Sequence, residues 1–207
     1  MKPDIDYTLY LVTDRELMTA DCIEDCVEQA ISGGVTVVQL REKTLSSREF
    51  YHTAMRLREI TALLKVPLII NDRADIALAV DADGVHIGQT DLPHDAVRRI
   101  VGQDKIVGVS VSNFTEALAA FESGADYLGV GAMFATGTKA DANLTSMDEL
   151  RRIRGNINIP IVVIGGINKE TAPLFRGTNI DGIAAVSAVV AQNDAAGAAR
   201  ELKSLFK

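Results

Sequence analysis

The stretch VPLIINDRADIALAVDADGVHIGQTDLP, residues 66–93, carries the fold in miniature. VPLII (66–70) is a short unbroken apolar run. A polar turn follows, then an amphipathic segment over 73–81, then a second apolar run, GVHI (84–87). Runs of this length without alternation read as strands covered on both faces. Two such strands joined by a helix make a parallel pair. Working outward, the same unit recurs. YTLYLV (7–12), VTVVQL (35–40), KIVGVS (105–110), DYLGV (126–130), IPIVVI (159–164) and DGIAAV (181–186) are the other runs. Amphipathic segments at 21–32, 46–63, 93–101, 113–123, 145–154, 168–176 and 195–206 lie between or after them. Asn113, with Glu116 three residues on, reads as a helix start. Eight alternating units in 207 residues, about 26 residues each, predict a single (β/α)8 TIM barrel spanning 1–207, with helices outside compact parallel strands. A doubly wound open sheet is the alternative, but TDREL follows the first strand where such folds often place GxGxxG.

The bulk composition narrows the function. Hydrophobic residues make up 47% and charged residues 24%, an ordinary globular mix. The net charge of −7 argues against nucleic acid, whose phosphates require a surplus of Lys and Arg. The longest apolar run, IPIVVIGGI, is too short for a membrane span, and the charged start MKPDIDYT lacks a signal-peptide core. These features predict a cytoplasmic protein. Cys22 and Cys26 read as reduced packing residues one helical turn apart. A homo-oligomer is compatible with the sequence, which does not fix the assembly state.

Chemistry in such a barrel gathers at the C-terminal ends of the strands. There the sequence places Thr13, Asp14 and Arg15; Gln39, Arg41, Glu42 and Lys43; Asn71, Asp72 and Arg73; His86, Gln89 and Asp91; Ser110; GVGAMFATGTK ending at Lys139; Gly165–Gly166; and Val186–Ser187. Two sites account for most of them. Asp72 and Asp91 follow adjacent strands, so their carboxylates can converge on Mg2+, with Arg41, Lys43 and Lys139 supplying positive charge for a polyphosphate. IGGIN and AVSAV follow the last two strands, where barrels often hold a phosphate on backbone N–H groups. His52 and His94 read as surface residues, and His86 reads equally as packing support or substrate contact. No HExxH, GxSxG or CxxC pattern is present.

QLREK (39–43), NDRADIALAVDADGVHIGQTDLP (71–93), GVS (108–110), YLGVGAMFATGTK (127–139), VIGGI (163–167) and AVSAV (185–189) together resemble the thiamine-phosphate synthase (thiamine-phosphate pyrophosphorylase) family. The resemblance runs from about residue 8 to the last strand. It implies an Mg2+-dependent transferase joining a hydroxymethylpyrimidine diphosphate to a thiazole phosphate, its partners being small phosphorylated molecules. It further implies that Gln39, Leu40, Arg41, Glu42, Lys43, Asn71, Ser110 and Lys139 bind the pyrimidine diphosphate, with Arg41, Lys43, Ser110 and Lys139 catalytic. Asp72 and Asp91 would hold the metal. Thr136, Gly137, Thr138, Gly165, Gly166, Val186 and Ser187 would bind the thiazole phosphate. One position departs from the family pattern: Ala135 stands where Pro is usual, which predicts a looser loop after the sixth strand. Other readings remain open: a thiazole tautomerase of the same fold, a Schiff-base lyase using Lys43 or Lys139, and a non-catalytic thiamine-phosphate binding protein.

Overall fold

A computed structural model describes residues 2–135 and 144–207. Eight strands are present: β1 Leu9–Val12, β2 Val37–Leu40, β3 Leu68–Asn71, β4 Gly84–Ile87, β5 Ile106–Val111, β6 Tyr127–Val130, β7 Ile161–Val163 and β8 Gly182–Ala185. They form a closed parallel barrel in sequence order, with β8 pairing back onto β1 through Leu11 and Ala185. Most strands are shorter than the apolar runs that predicted them. The leading residues Tyr7 and Val35 instead pack as buried residues ahead of β1 and β2.

Eight helices accompany the strands: α1 Ile23–Ser32, α2 Ser47–Leu64, α3 Ala74–Ala79, α4 His94–Val101, α5 Phe114–Glu122, α6 Met147–Asn156, α7 Ser187–Val190 and α8 Ala195–Phe206. Asn113 caps α5 as expected, accepting the Glu116 N–H at 3.0 Å. The segment 168–176 departs from expectation: only a 3₁₀ turn forms, Ala172–Phe175. Pro173 lacks an N–H to give a longer helix. The Asn168 side chain accepts the N–H groups of Glu170 and Thr171, and the Thr171 hydroxyl donates to the Gly166 carbonyl, so local bonds displace helical ones. The short helix α7 is an element the periodicity did not predict.

Alternate strand residues separate two apolar layers. Tyr10, Val12, Val37, Ile69, Ile106, Tyr127, Val162 and Ala184 fill the barrel interior. Leu9, Leu11, Val38, Leu40, Leu68, Ile70, Val107, Val109, Leu128 and Val130 belong to the layer between strands and helices. Both faces of each strand are therefore covered, which is why the runs are continuous.

The opposite, N-terminal end of the barrel repeats one device around the ring. The side chain just ahead of each even-numbered strand receives an N–H from the first or second residue of the strand before it. Thr36 receives Leu9, Asp83 receives Leu68, Asp126 receives Val107 and Asp181 receives Ile161, at 2.8–3.0 Å. The three aspartates are each also met by an arginine from an even-numbered helix, Arg58, Arg98 and Arg154. In two of these clamps, at Asp83 and Asp181, a glycine follows the aspartate directly.

Candidate active site

The C-terminal ends of the strands surround a cavity of about 480 Å³. Gln39, Arg41, Lys43, Asn71, Asp72, Asp91, Ser110, Gly165, Gly166, Val186 and Ser187 all line it, as the sequence predicted. Two predicted residues do not line it. Leu40 has the opposite strand parity and packs, fully buried, among the outer core residues. The Glu42 carboxylate is held by the Arg15 guanidinium at 2.8 Å, with its side chain only 2% exposed. Thr136, Gly137, Thr138 and Lys139 lie outside the described residues.

The charged wall is built by the loops after β2, β3 and β4. The Arg41 N–H donates to the Thr13 hydroxyl, and its guanidinium donates to Asp14 at 3.1 Å. Two crossed ion pairs, Arg41–Asp14 and Arg15–Glu42, thus tie the β1 and β2 loops together. Lys43 donates to Asp72 at 2.6 Å. Asp72 sits at φ 62°, spanned by a hydrogen bond from the Arg73 N–H to the Asn71 carbonyl. A left-handed conformation is uncommon for a residue other than glycine. The bond from the Asp72 N–H to the His86 carbonyl, at 2.8 Å, helps to hold it there.

Asp91 is fixed from below by the Gly88 N–H at 2.7 Å. Burial, reinforced by the neighbouring Asp72 carboxyl, pushes its pKa above the usual aspartate value, although the Gly88 bond opposes the shift. The adjoining Asp72 and Asp91 carboxyl groups, with Lys43 paired to Asp72, form an electronegative pair suited to a cation.

The opposite wall is made of backbone. Gly165 and Gly166 have φ values of 95° and 66°. A Cβ at these positions would lie 2.5 Å from the Ala132 Cβ and 2.7 Å from the Phe134 Cβ, so only glycine lets the loops after β6 and β7 approach. Those loops are joined by bonds from the Met133 and Phe134 N–H groups to the Ile164 and Gly165 carbonyls. Among the described residues the Gly165 and Gly166 N–H groups take no protein acceptor. Ser187 opens α7 beside them.

The floor holds a polar chain that sequence reasoning left mostly unassigned. The Gln39 amide donates to the Tyr10 hydroxyl at 2.9 Å; Tyr10 and Tyr127 hydroxyls lie 2.7 Å apart; the Tyr127 hydroxyl meets His86 Nδ1 at 2.8 Å; and His86 Nε2 meets the Ser110 hydroxyl at 2.8 Å. Gln89 donates to the Ser110 carbonyl at 2.7 Å. Burial pushes the Tyr10 and Tyr127 phenols above the usual tyrosine range, so both remain protonated. His86 is thus part of the floor and one bond from a predicted site residue. The available signal was two tyrosines at inward strand positions, with the strand residue Gly108 facing Tyr127 and the strand residue Gly129 facing His86.

His94 was expected at the surface. Instead it is half-buried, and burial lowers its basicity.

The family described as thiamine monophosphate synthase matches residues 9–189. A thiamine-phosphate synthase of Clostridium beijerinckii is 61% identical over 206 residues, covering 100% of this chain and 99% of its own. One from Clostridium botulinum is 59% identical, covering 100% and 97%. The solved thiamine phosphate pyrophosphorylase of Pyrococcus furiosus superposes with a TM-score of 0.90 at 40% identity, covering 97% of this chain and 96% of that one. Sequence, barrel and site agree, and the chain belongs to the thiamine monophosphate synthase family of transferases.

Proposed function

We propose that this enzyme joins 4-amino-2-methyl-5-hydroxymethylpyrimidine diphosphate to a phosphoethyl-thiazole, giving thiamine phosphate and pyrophosphate. The observation that carries the reading is the division of one cavity into two unlike anion sites. Closure of the barrel in the order 1 to 8 sets β3 across from β7 and β4 across from β8. The Arg41, Lys43, Asp72 and Asp91 wall therefore faces the Gly165–Gly166 and Ser187 wall. A diphosphate suits the first and a monophosphate the second.

Mg2+ fits the Asp72–Asp91 pair. The two carboxyl groups adjoin, and a cation would offset the burial and proximity that make the Asp91 carboxyl a weaker acid. Among the described residues no group of three His, Cys, Asp or Glu side chains converges. That suits an ion that commonly uses one or two carboxylates and completes its shell with water and substrate phosphate. When bound, Mg2+ would offset charge on the departing pyrophosphate.

The protein's own groups do the rest. Arg41 and Lys43 would exchange part of their pairing with Asp14 and Asp72 for phosphate oxygens, stabilising charge as the C–O bond breaks. Lys139 is assigned the same task. The aminopyrimidine ring delocalises the positive charge left on its methylene, which favours dissociation before bond formation. The thiazole nitrogen then supplies its lone pair to that carbon, and no enzyme nucleophile is required. The glycine wall and Ser187 hold the thiazole arm so that nitrogen and methylene meet in line. The cytoplasm remains the proposed compartment; among the described residues no helix is long and apolar enough to cross a membrane, and Cys22 and Cys26 are free.

Incubation with both substrates and Mg2+ tests the reading. Thiamine phosphate and pyrophosphate in equal amounts are expected. Thiazole isomerisation without diphosphate would instead make the protein a tautomerase, and binding without turnover would make it a ligand-binding protein.

A further inference from the structure

The floor contains a serine, a histidine and a third hydrogen-bonding residue in a row, the arrangement that elsewhere activates a serine nucleophile. Here the third residue is a phenol, and its place in the buried chain sets the opposite polarity. The Gln39 amide nitrogen can only donate, so the Tyr10 oxygen accepts from it. The one proton on Tyr10 then goes to the Tyr127 oxygen, 2.7 Å away. If Tyr127 donated to Tyr10 instead, the Tyr10 proton would be buried without an acceptor, which is costly. The Tyr127 proton therefore goes to His86 Nδ1. A neutral imidazole whose Nδ1 accepts must carry its proton on Nε2, and that proton faces the Ser110 oxygen. The Ser110 proton is left free to turn toward the cavity that Ser110 lines.

We infer that Tyr127 is a positioning residue: acting through His86, it fixes Ser110 as a hydrogen-bond donor to the substrate, and Ser110 is not an activated nucleophile. The substrate atom served is an acceptor, a pyrimidine ring nitrogen or a diphosphate oxygen. The backbone is shaped for this chain. A Cβ on Gly108 would lie 2.1 Å from the Tyr127 ring, and one on Gly129 would lie 3.0 Å from His86. Both glycines therefore leave space for its members.

The inference rests on the proposed pyrimidine diphosphate site, and its test has an arm independent of turnover. Protein labelled with 15N-histidine contains three histidines, assigned by His52→Gln and His94→Gln variants. Long-range 1H–15N correlation should show His86 neutral, with Nε2 protonated and Nδ1 bare. The Tyr127→Phe variant keeps the ring in the space beside Gly108, and its His86 should shift to a mixture of tautomers. Its kcat should fall roughly 3- to 10-fold, the value of one oriented hydrogen bond, with KM for both substrates little changed. In a Ser110→Ala background the same substitution should have almost no further effect on kcat, because Tyr127 acts through Ser110. A proton on Nδ1 of His86 in the parent protein would reverse the chain and overturn the inference. So would a Tyr127→Phe loss that persists undiminished without the Ser110 hydroxyl. Absence of turnover with both substrates, alongside an Nε2-protonated His86, would overturn the proposed reaction and leave the polarity standing.

Discussion

Replacing Gly108 by alanine should strongly destabilise the barrel, against the usual sign of that change in a strand. Glycine within a strand ordinarily costs roughly 0.5–1 kcal/mol relative to alanine through its backbone freedom. At position 108 the added methyl would meet Tyr127 Cζ at 2.1 Å, Cε1 at 2.2 Å and the hydroxyl oxygen at 2.6 Å. The Tyr127 ring is fully buried and packed against the Tyr7 and Tyr10 rings at centroid distances of 4.9 and 5.9 Å. Overpacking of this kind costs roughly 1–3 kcal/mol. Shifting the hydroxyl also weakens its bonds to Tyr10 and His86 and adds about 1–3 kcal/mol for buried groups left unpaired. After the backbone gain is set against these, the net loss is about 1–5 kcal/mol. The check is a lowered urea midpoint at unchanged slope. A Tyr127→Leu background removes the far end of the ring, and there the same substitution should cost less than about 1 kcal/mol. A small loss in the parent, or an equal loss in both backgrounds, would refute the claim that the glycine exists to admit the tyrosine.

Asp72→Asn and Asp91→Asn should each raise the Mg2+ concentration needed for half-maximal turnover, read by titrating the metal against rate, while the fold stays intact. Asp91→Asn should also be more stable than the parent at neutral pH. Burial and Asp72 raise the Asp91 pKa in the folded state, so folding favours its protonated form; that contribution is present in acid and lost as pH rises through the raised value. The advantage of the asparagine should therefore shrink in acid, as urea unfolding at several pH values will show. Asp126→Ala strips Val107 of an acceptor and leaves Arg98, whose side chain is 11% exposed, without its carboxylate. A loss of about 3–5 kcal/mol is expected from equilibrium unfolding. Ser187→Asp should raise KM for the thiazole phosphate roughly 30-fold, equivalent to about 2 kcal/mol, and change that for the pyrimidine diphosphate far less. Steady-state kinetics with each substrate varied would expose a reversed assignment.

The fold was legible because each strand is buried on both faces, which leaves continuous apolar runs that a half-exposed sheet would not produce. The charged wall was legible for a related reason. Arg41, Lys43, Asp72 and Asp91 are residues that burial without partners would penalise, and they fall at strand ends where a barrel opens to solvent. Tyr10 and Tyr127 escaped because each sits inside a run that packing alone explains; their hydroxyl partners come from other strands, up to 117 residues away. Leu40 and Glu42 do not line the cavity, which a contiguous motif misses because it ignores parity: neighbours on a strand face opposite sides, and only Gln39 of the Gln39–Leu40 pair faces inward. The 168–176 segment has helical periodicity, but the Asn168 and Thr171 side chains compete locally for its backbone.

Aspartates at the two ends of the barrel separate scaffold from site by how their charge is met. Asp83, Asp126 and Asp181 each have a backbone N–H and an arginine. Every charge there has a fixed partner, which suits a clamp. At the other end, Asp72 and Asp91 bring two carboxyl groups into contact, with the half-exposed Lys43 as the ion-pair partner of Asp72. Folding alone gains little from that arrangement, since burial and mutual proximity both work against ionising Asp91. The arrangement becomes favourable when a cation joins the carboxyl groups and an anion engages Lys43 and Arg41. A metal-bound diphosphate would supply both charges at once, so on the proposed reading each substrate-side pairing explains the other, and the same amino acid is a structural clamp at one end of the strands and the proposed metal ligand at the other.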